Sequence, residues 1–201
     1  MITLYDSVIS GNSHRVKLAL SLFGLPHKIT PIDILQGEQR RPEFLALNPF
    51  GTCPTLDDDG FIIRDSVAIL VYLARKYGKD EWYPREVEAE TRVNEWLMTA
   101  ADGIAKGLGM ARYIRRFAPH LEPNHELSVA RGVKALGVMD AHLASRRWLA
   151  ADRPTIADIA GYSYVKRAPE GDVPLDPHPN VCAWLARMEE LPNFIPFPAQ
   201  K

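Results

Sequence analysis

The sequence predicts an N-terminal α/β domain followed by an all-α domain, and three observations support this. Residues 1–77 alternate between short strand patterns and helix patterns in the order βαβαββα. A linker-like passage, Gly78–Pro84, comes next, and only helical periods follow it. We therefore expect domains at residues 1–78 and 86–201, joined by a linker at residues 79–85.

The chain opens with the pattern of a βαβ unit. Met1–Tyr5 has the pattern of a short strand, and apolar residues recur at helical spacing from His14 to Phe23. Gly24-Leu25-Pro26 ends that helix, and residues 27–33 alternate as a second strand. Between the first strand and the helix lies a polar turn.

The rest of the first domain predicts a short helix, a hairpin and a final helix. The short helix is expected at Pro42–Leu47. Strands at residues 52–56 and 61–63 flank Asp57–Gly60, whose composition is typical of a hairpin turn. A helix over Val67–Tyr77 has an apolar face suited to packing on the sheet.

The second half has helical patterns throughout and a proline-rich tail. A long helix is expected over residues 87–117, weakened by Gly103, Gly107 and Gly109. Each glycine costs about 1 kcal/mol relative to alanine in a helix interior, so we expect a bend or close helix packing there. Further helices are predicted at residues 124–146, 155–168 and 179–190.

The composition excludes several classes of function. Twenty-four basic and 25 acidic residues give a formal net charge of -1, which does not indicate a nucleic-acid partner. No apolar run approaches the roughly 20 residues that span a bilayer, and no signal-peptide pattern opens the sequence, so we expect a cytoplasmic protein without a membrane partner. Cys53 and Cys182 form no metal-ligand pattern, and the six histidines are scattered, so no metal site is expected.

The polar turn Ser10-Gly-Asn-Ser13 is the first candidate site. It ends a strand at a helix N-terminus rich in hydrogen-bonding groups, which favours an anion. In a thioredoxin-like fold this turn carries Cys-x-x-Cys, and here Ser10 and Ser13 occupy the two cysteine positions. We therefore expect no dithiol exchange by the protein itself.

Three motifs carry a family resemblance that covers essentially the whole chain. They are Asn48–Pro54, which ends in Cys53-Pro54, the helix start Asp65-Ser66, and Thr155-Ile-Ala-Asp158. In this element order they resemble the cytosolic glutathione transferases, in particular bacterial members of the serine or asparagine type. The resemblance implies an α/β thioredoxin-like N-terminal domain (βαβαββα) plus an all-α C-terminal helical domain. It also implies glutathione as co-substrate and a homodimer in which the first domain of one subunit faces the second domain of the other.

Thr155 and Asp158 also have a physical interpretation of their own. As N-cap and third helical residue they can satisfy each other's backbone N–H groups, in the pattern of a capping box. We expect this motif to be structural, not catalytic.

The resemblance places glutathione along the first domain. Pro54 is expected to be cis, and the backbone N–H and C=O of Cys53 then bind the peptide as a short antiparallel strand. The alternative is that Pro54 only ends a strand edge. Asp65 and Ser66 suit the ammonium and carboxylate of the γ-glutamyl end, and the alternative is a plain N-cap.

The glycine end of glutathione needs a donor from residues 36–51. Gln39 is the candidate, with Arg40 or Arg41 behind it. Position 51 is glycine, where some classes of the family carry a basic or histidine side chain.

The thiolate of glutathione needs a hydrogen-bond donor at the turn. Ser10 matches the serine-type catalytic position of the family, Asn12 matches a functional asparagine of a bacterial class, and Tyr5 aligns less well. The alternative is that these side chains only cap the helix. Arg15 is expected to be a structural or surface ion-pair residue.

A glutathione transferase is therefore the leading hypothesis, acting on an apolar electrophile or on a disulfide. The electrophile pocket is expected beside the long helix, with Met110, Tyr113 and Phe117 as candidate walls. A maleylacetoacetate isomerase-like enzyme is the second hypothesis, although Gly11 and Asn12 replace the serine and cysteine of that class. A non-catalytic binding module with the same fold is the third.

Overall fold

The computed structural model describes residues 1–198. They form two compact units, one made of residues 1–79 together with the segment that begins at Pro192, and one made of residues 80–191. The division falls between Lys79 and Asp80, at the predicted linker. The segment after Leu191 belongs to the first unit, so its expected assignment to the C-terminal domain is wrong.

The first unit contains a four-stranded mixed sheet with strand order β2-β1-β3-β4. β1 (Ile2–Asp6) pairs in parallel with β2 (His27–Pro31) and antiparallel with β3 (Thr55–Asp58). β3 pairs antiparallel with β4 (Phe61–Ile63). The helices of this unit are α1 (Gly11–Leu22), α2 (Pro42–Leu47) and α3 (Ser66–Lys76). The predicted order βαβαββα is confirmed.

α1 and α3 pack together because each presents a buried apolar face. Leu18 and Leu20 of α1 are fully buried, as are Leu70 and Leu73 of α3. Because α1 and α3 pack on each other, their N-terminal ends belong to the same compact unit. Candidate site residues lie at both of these ends.

Asp58 connects β3 to the C-terminal half of α3. Its Oδ2 accepts hydrogen bonds from the Tyr72 hydroxyl at 3.1 Å, Lys76 Nζ at 2.6 Å and the Tyr77 hydroxyl at 2.7 Å. Burial alone would raise the pKa of Asp58, but the three donors lower it below the usual value for aspartate. The carboxylate therefore stays charged at neutral pH and holds α3 on the sheet.

The C-terminal segment lies along α1 through contacts at every second residue: the carbonyls of Asn193 and Ile195 and the ring of Phe197. The Ser21 hydroxyl donates to the Asn193 carbonyl at 2.7 Å, and His14 Nε2 donates to the Ile195 carbonyl at 3.2 Å. The Phe197 ring stacks on the His14 ring with centroids 4.8 Å apart, and Phe197 is 1% exposed. These contacts explain why the segment belongs to the first unit.

The second unit consists of helices. The predicted long helix divides into α4 (Val87–Thr99), a π-helical segment (Ala100–Gly109) and α5 (Met110–Phe117). Gly107 approaches Gly132 so closely that a Cβ at position 107 would lie 2.7 Å from the Gly132 nitrogen. The predicted close packing at the glycines is confirmed. The remaining helices are α6 (His125–Leu143), α7 (Ile156–Lys166) and α8 (Pro179–Glu189).

α7 begins with the expected capping box. The Thr155 side chain accepts from the Ala157 N–H, and Asp158 Oδ2 accepts from the Thr155 N–H at 2.9 Å. Asp158 Oδ1 also accepts from the Leu149 N–H at 3.0 Å and from Trp184 Nε1 at 2.9 Å. The predicted structural motif is confirmed, and it additionally connects α7 to α8. Across residues 1–198, no helix is both long enough and apolar enough to span a membrane.

Candidate active site

The turn between β1 and α1 is built from three serines. Ser10 is the N-cap of α1, and its Oγ accepts from the Ser13 N–H at 3.2 Å. The Ser10 N–H donates to the Ser7 carbonyl at 3.0 Å, and Ser13 Oγ accepts from the Ser7 N–H at 3.2 Å. The capping role weighed for Ser10 is therefore present. Because its oxygen acts as an acceptor there, the Ser10 hydroxyl keeps its proton for donation to a ligand.

Asn12 and Tyr5 differ in what surrounds them. Asn12 is the second residue of α1 and half-buried, and its Oδ1 is buried without a hydrogen-bond partner in the described part of the chain. Only the Nδ2 of that side chain can donate to a thiolate. Tyr5 lies on β1, where its ring meets Phe44 edge to face with centroids 6.1 Å apart.

The loop before β3 presents main-chain groups. The Cys53–Pro54 peptide bond is cis, so the expected isomer is confirmed. Neither the N–H nor the C=O of Cys53 has a backbone hydrogen-bond partner within residues 1–198. These two groups have the arrangement that a short added strand requires.

Asn48 supports this loop, a role that the sequence alone did not predict. Its side chain is fully buried, and Nδ2 donates to the Thr52 carbonyl at 2.8 Å and to Thr55 Oγ1 at 3.1 Å. Its Oδ1 accepts from the Phe50 N–H at 3.0 Å. The turn-rich run Asn48–Pro54 could have indicated this role, because an asparagine in such a segment commonly forms hydrogen bonds with nearby backbone groups.

The Cys53 thiol is unsuited to nucleophilic chemistry. Burial, with a smaller contribution from the negative charge of Asp6, raises the pKa of Cys53 to about 12. The thiol therefore stays protonated at neutral pH, and only the main chain of Cys53 is available to a ligand.

The N-terminus of α3 carries the second group of candidates. Asp65 is the N-cap, and its Oδ1 accepts from the Val67 N–H at 2.8 Å and the Ala68 N–H at 3.0 Å. The N-cap role considered for Asp65 is therefore present, and it occupies only one of the two carboxylate oxygens. Ser66 follows as the first helical residue and is 5% exposed.

Arg15 joins the two helix ends. Its side chain is 1% exposed, and Nη1 donates to Ser66 Oγ at 3.3 Å. A surface position for Arg15 is therefore wrong, because this guanidinium is buried in the first unit. Arg15 therefore connects α1 to the first residue of α3.

Comparison with known proteins identifies the family. The model described as the N-terminal domain of glutathione S-transferase matches residues 9–76, and the C-terminal domain model matches residues 111–192. Glutathione S-transferase D7 of Anopheles gambiae is 32% identical over 191 residues, which cover 93% of this chain and 85% of that protein. The chain belongs to the cytosolic glutathione S-transferase superfamily.

Solved structures of glutathione S-transferases agree with the fold. A possible glutathione S-transferase from Rhodopseudomonas palustris is 35% identical with a TM-score of 0.92, and the match covers 100% of this chain and 91% of that chain. A glutathione transferase family member from Pseudomonas fluorescens Pf-5, solved with two glutathione bound, is 30% identical with a TM-score of 0.85, covering 96% and 89%. The predicted fold class is confirmed.

Several groups between residues 36 and 51 already have partners within the first unit. Gln39 Nε2 donates to the Ile34 carbonyl at 3.3 Å, so its amide is already held by the main chain. Gly51 has φ +59°, and a Cβ there would lie 3.2 Å from the Gln39 carbonyl oxygen. Arg41 pairs with Glu38 at 3.1 Å, whereas Arg40 is exposed.

The candidate electrophile-pocket residues lie on α5 in the second unit. Met110 is 39% exposed and Tyr113 is 36% exposed. Tyr113 also contacts the Phe117 ring with centroids 6.1 Å apart, and the Arg112 guanidinium lies 5.4 Å from the Phe117 centroid.

Among the described residues, no group of three or more His, Cys, Asp or Glu side chains is arranged to hold a metal ion.

Proposed function

We propose that this chain is a glutathione transferase that binds reduced glutathione, stabilises its thiolate and transfers it to an apolar electrophile, or uses it to reduce a disulfide. Ser10 is the proposed thiolate donor, and Asn12 is the second candidate. The observation that carries the proposal is the Ser10 hydroxyl, which caps α1 with its oxygen and retains a proton at the positive end of the helix.

The energetics support one donor plus a helix N-terminus. A thiol pKa near 8.5 leaves only a few per cent thiolate at neutral pH, and lowering it by about two units requires about 2.7 kcal/mol. A helix N-terminus supplies typically about 0.3 to 1 kcal/mol, up to about 2 when partly buried. A hydrogen bond to a charged group adds about 1.5 to 3 kcal/mol, so the sum is sufficient.

The remaining contacts follow the order of groups along glutathione. The N–H and C=O of Cys53, which lack backbone partners within residues 1–198, support an antiparallel pairing with the cysteinyl residue. Asp65 and Ser66 at the start of α3 are proposed to hold the γ-glutamyl end. Gln39 is proposed for the glycine carboxylate, with Arg40 behind it, because Arg40 is exposed whereas Arg41 pairs with Glu38.

Family membership supports three further inferences. We infer a cytoplasmic location, a homodimer, and a role in detoxification. The homodimer is proposed to pair the first domain of one subunit with the second domain of the other.

The test is calorimetric titration with reduced glutathione between about pH 6 and 8, combined with turnover of an aryl halide and of a mixed disulfide. Ser10→Gly removes the hydroxyl but costs only a few tenths of a kcal/mol as an N-cap. Ser10→Thr retains both the hydroxyl and the cap and serves as the matched control. Asn12→Ala tests the second donor.

We expect wild type and Ser10→Thr to bind glutathione with proton release, and Ser10→Gly to lose about tenfold to a hundredfold in kcat/KM. An equal loss in Asn12→Ala with none in Ser10→Gly would transfer the role to Asn12. Turnover of only one substrate class would distinguish conjugation from disulfide reduction. No binding at millimolar glutathione would overturn the transferase and leave a non-catalytic module.

A further inference from the structure

The burial of Arg15 in the first unit is unusual for a charged side chain, because only 1% of the residue is exposed. Removing a guanidinium from water costs several kcal/mol unless its N–H groups find acceptors. One acceptor is Ser66 Oγ, 3.3 Å from Arg15 Nη1. A buried cation on α1 therefore contacts the first residue of α3.

This contact determines how the Ser66 hydroxyl behaves. Its oxygen accepts from the guanidinium, so its proton is directed away from Arg15. A hydroxyl that accepts from a cation is in turn a stronger donor, because hydrogen bonds in a chain polarise one another. The Ser66 backbone N–H also lacks a backbone acceptor within residues 1–198. Ser66 thus presents two donors at the positive end of α3.

Asp65 places the opposite charge beside these donors. Its Oδ1 is occupied by the Val67 and Ala68 N–H groups, whereas no hydrogen bond in the described part of the chain involves its Oδ2. Two donors next to a free carboxylate oxygen match the α-carboxylate and the α-ammonium group of an amino acid. The γ-glutamyl end of glutathione carries this pair of charges.

We propose that Arg15 is a positioning residue for the γ-glutamyl carboxylate of glutathione. It orients and polarises the Ser66 hydroxyl, and its charge strengthens the anion-binding end of α3. The inference rests on the proposed function, because glutathione is the ligand in question. It assigns Arg15 to recognition of one carboxylate and not to the thiolate.

The test compares two ligands that differ at that carboxylate alone: glutathione and its analogue with a carboxamide in place of the γ-glutamyl α-carboxylate. Dissociation constants are measured for wild type, Arg15→Met, Arg15→Lys, Ser66→Ala and the double variant Arg15→Met/Ser66→Ala. Lys28→Met, which removes an exposed cation from the same unit, is the control. Thermal melts show whether each variant folds. If Arg15→Met does not fold, the two dissociation constants of Arg15→Lys are compared with those of wild type instead.

We expect wild type to prefer glutathione over the amide about tenfold or more, and Arg15→Met to remove most of that preference by weakening glutathione alone. In Arg15→Met, KM for glutathione should rise while kcat is unchanged. Arg15→Lys should recover part of the lost affinity. The double variant should bind glutathione no more weakly than Ser66→Ala. Equal weakening of both ligands, or additive losses, would overturn the inference. Failure of wild type to bind glutathione would overturn the proposed function and this inference together.

Discussion

At the residue scale, the two cysteines differ in their environments, although neither belongs to a recognisable sequence motif for metal binding. Cys53 is partly buried near Asp6, whereas Cys182 is exposed on α8. The sequence predicts that the backbone of Cys53 binds a ligand, and the raised pKa of its thiol is consistent with a main-chain role. Nothing in the sequence revealed Asp6 as a neighbour of Cys53, because the two are brought together only when β1 and β3 pair.

We predict that a thiol-reactive disulfide reagent labels Cys182 rapidly near neutral pH and labels Cys53 slowly. Cys182→Ser should abolish the fast phase and Cys53→Ser should leave it unchanged, because the pKa of Cys53 is raised to about 12. Two fast thiols in the folded wild type would contradict the buried environment of Cys53.

The same pKa predicts a pH dependence of stability. The unfolded thiol loses its proton near pH 8.5, at about its ordinary pKa, whereas the folded Cys53 keeps it to about pH 12. The folded state therefore binds more protons in this window, and the free energy of unfolding should fall as pH rises through it. Denaturant unfolding of wild type against Cys53→Ala isolates this contribution, which the variant should lack.

At the element scale, the sequence predicted the type and order of elements well where local signals were strong. Pro42–Leu47 and Phe61–Ile63 have the expected bounds, since proline and turn residues mark their ends. The long helix was predicted as weakened by glycines, but its central π-helical segment was not predicted. That segment packs closely against Gly132, a residue of another helix, and local periodicity does not encode such a contact.

The capping box gives an element-scale prediction. Thr155→Ala should lower the free energy of unfolding by about 1 kcal/mol, up to about 2, because an N-cap is lost. Asp158→Ala should cost more, since the Leu149 N–H, the Trp184 Nε1–H and the Thr155 N–H lose their acceptor, and each buried unsatisfied donor costs about 1 to 3 kcal/mol. Denaturant unfolding measures both changes.

Asp152→Ala is the control for that pair, because Asp152 is an exposed carboxylate close in sequence whose partner Arg153 lies 3.6 Å away. It should change stability by no more than about 0.5 kcal/mol. Equal effects of Asp152→Ala and Asp158→Ala would show that the buried hydrogen bonds of Asp158 contribute nothing.

At the scale of the whole molecule, the sequence predicted two domains but assigned the C-terminal segment to the wrong one. A proline-rich stretch has no periodicity from which to predict a packing partner. Its attachment depends on Phe197 stacking on His14 and on two backbone carbonyls accepting from α1 side chains. Such long-range contacts carry no local sequence signal.

We predict that Phe197→Ala destabilises the protein by about 3 kcal/mol, as expected for loss of a buried phenylalanine. Hydrogen exchange of the α1 backbone amides should accelerate, because the segment lies along that helix. Pro198→Ala, at the adjacent exposed position, is the control and should leave both measurements unchanged. Unchanged exchange in Phe197→Ala would mean that the segment does not stabilise α1.

The central claim is that the Ser10 hydroxyl and the N-terminus of α1 stabilise the thiolate of bound glutathione. The most direct measurement is an ultraviolet titration of the thiol of bound glutathione in wild type, Ser10→Thr and Ser10→Gly. The predicted result is a pKa lowered by about two units in wild type and Ser10→Thr, and a rise of at least one unit in Ser10→Gly. An identical thiol pKa in wild type and Ser10→Gly would contradict the claim.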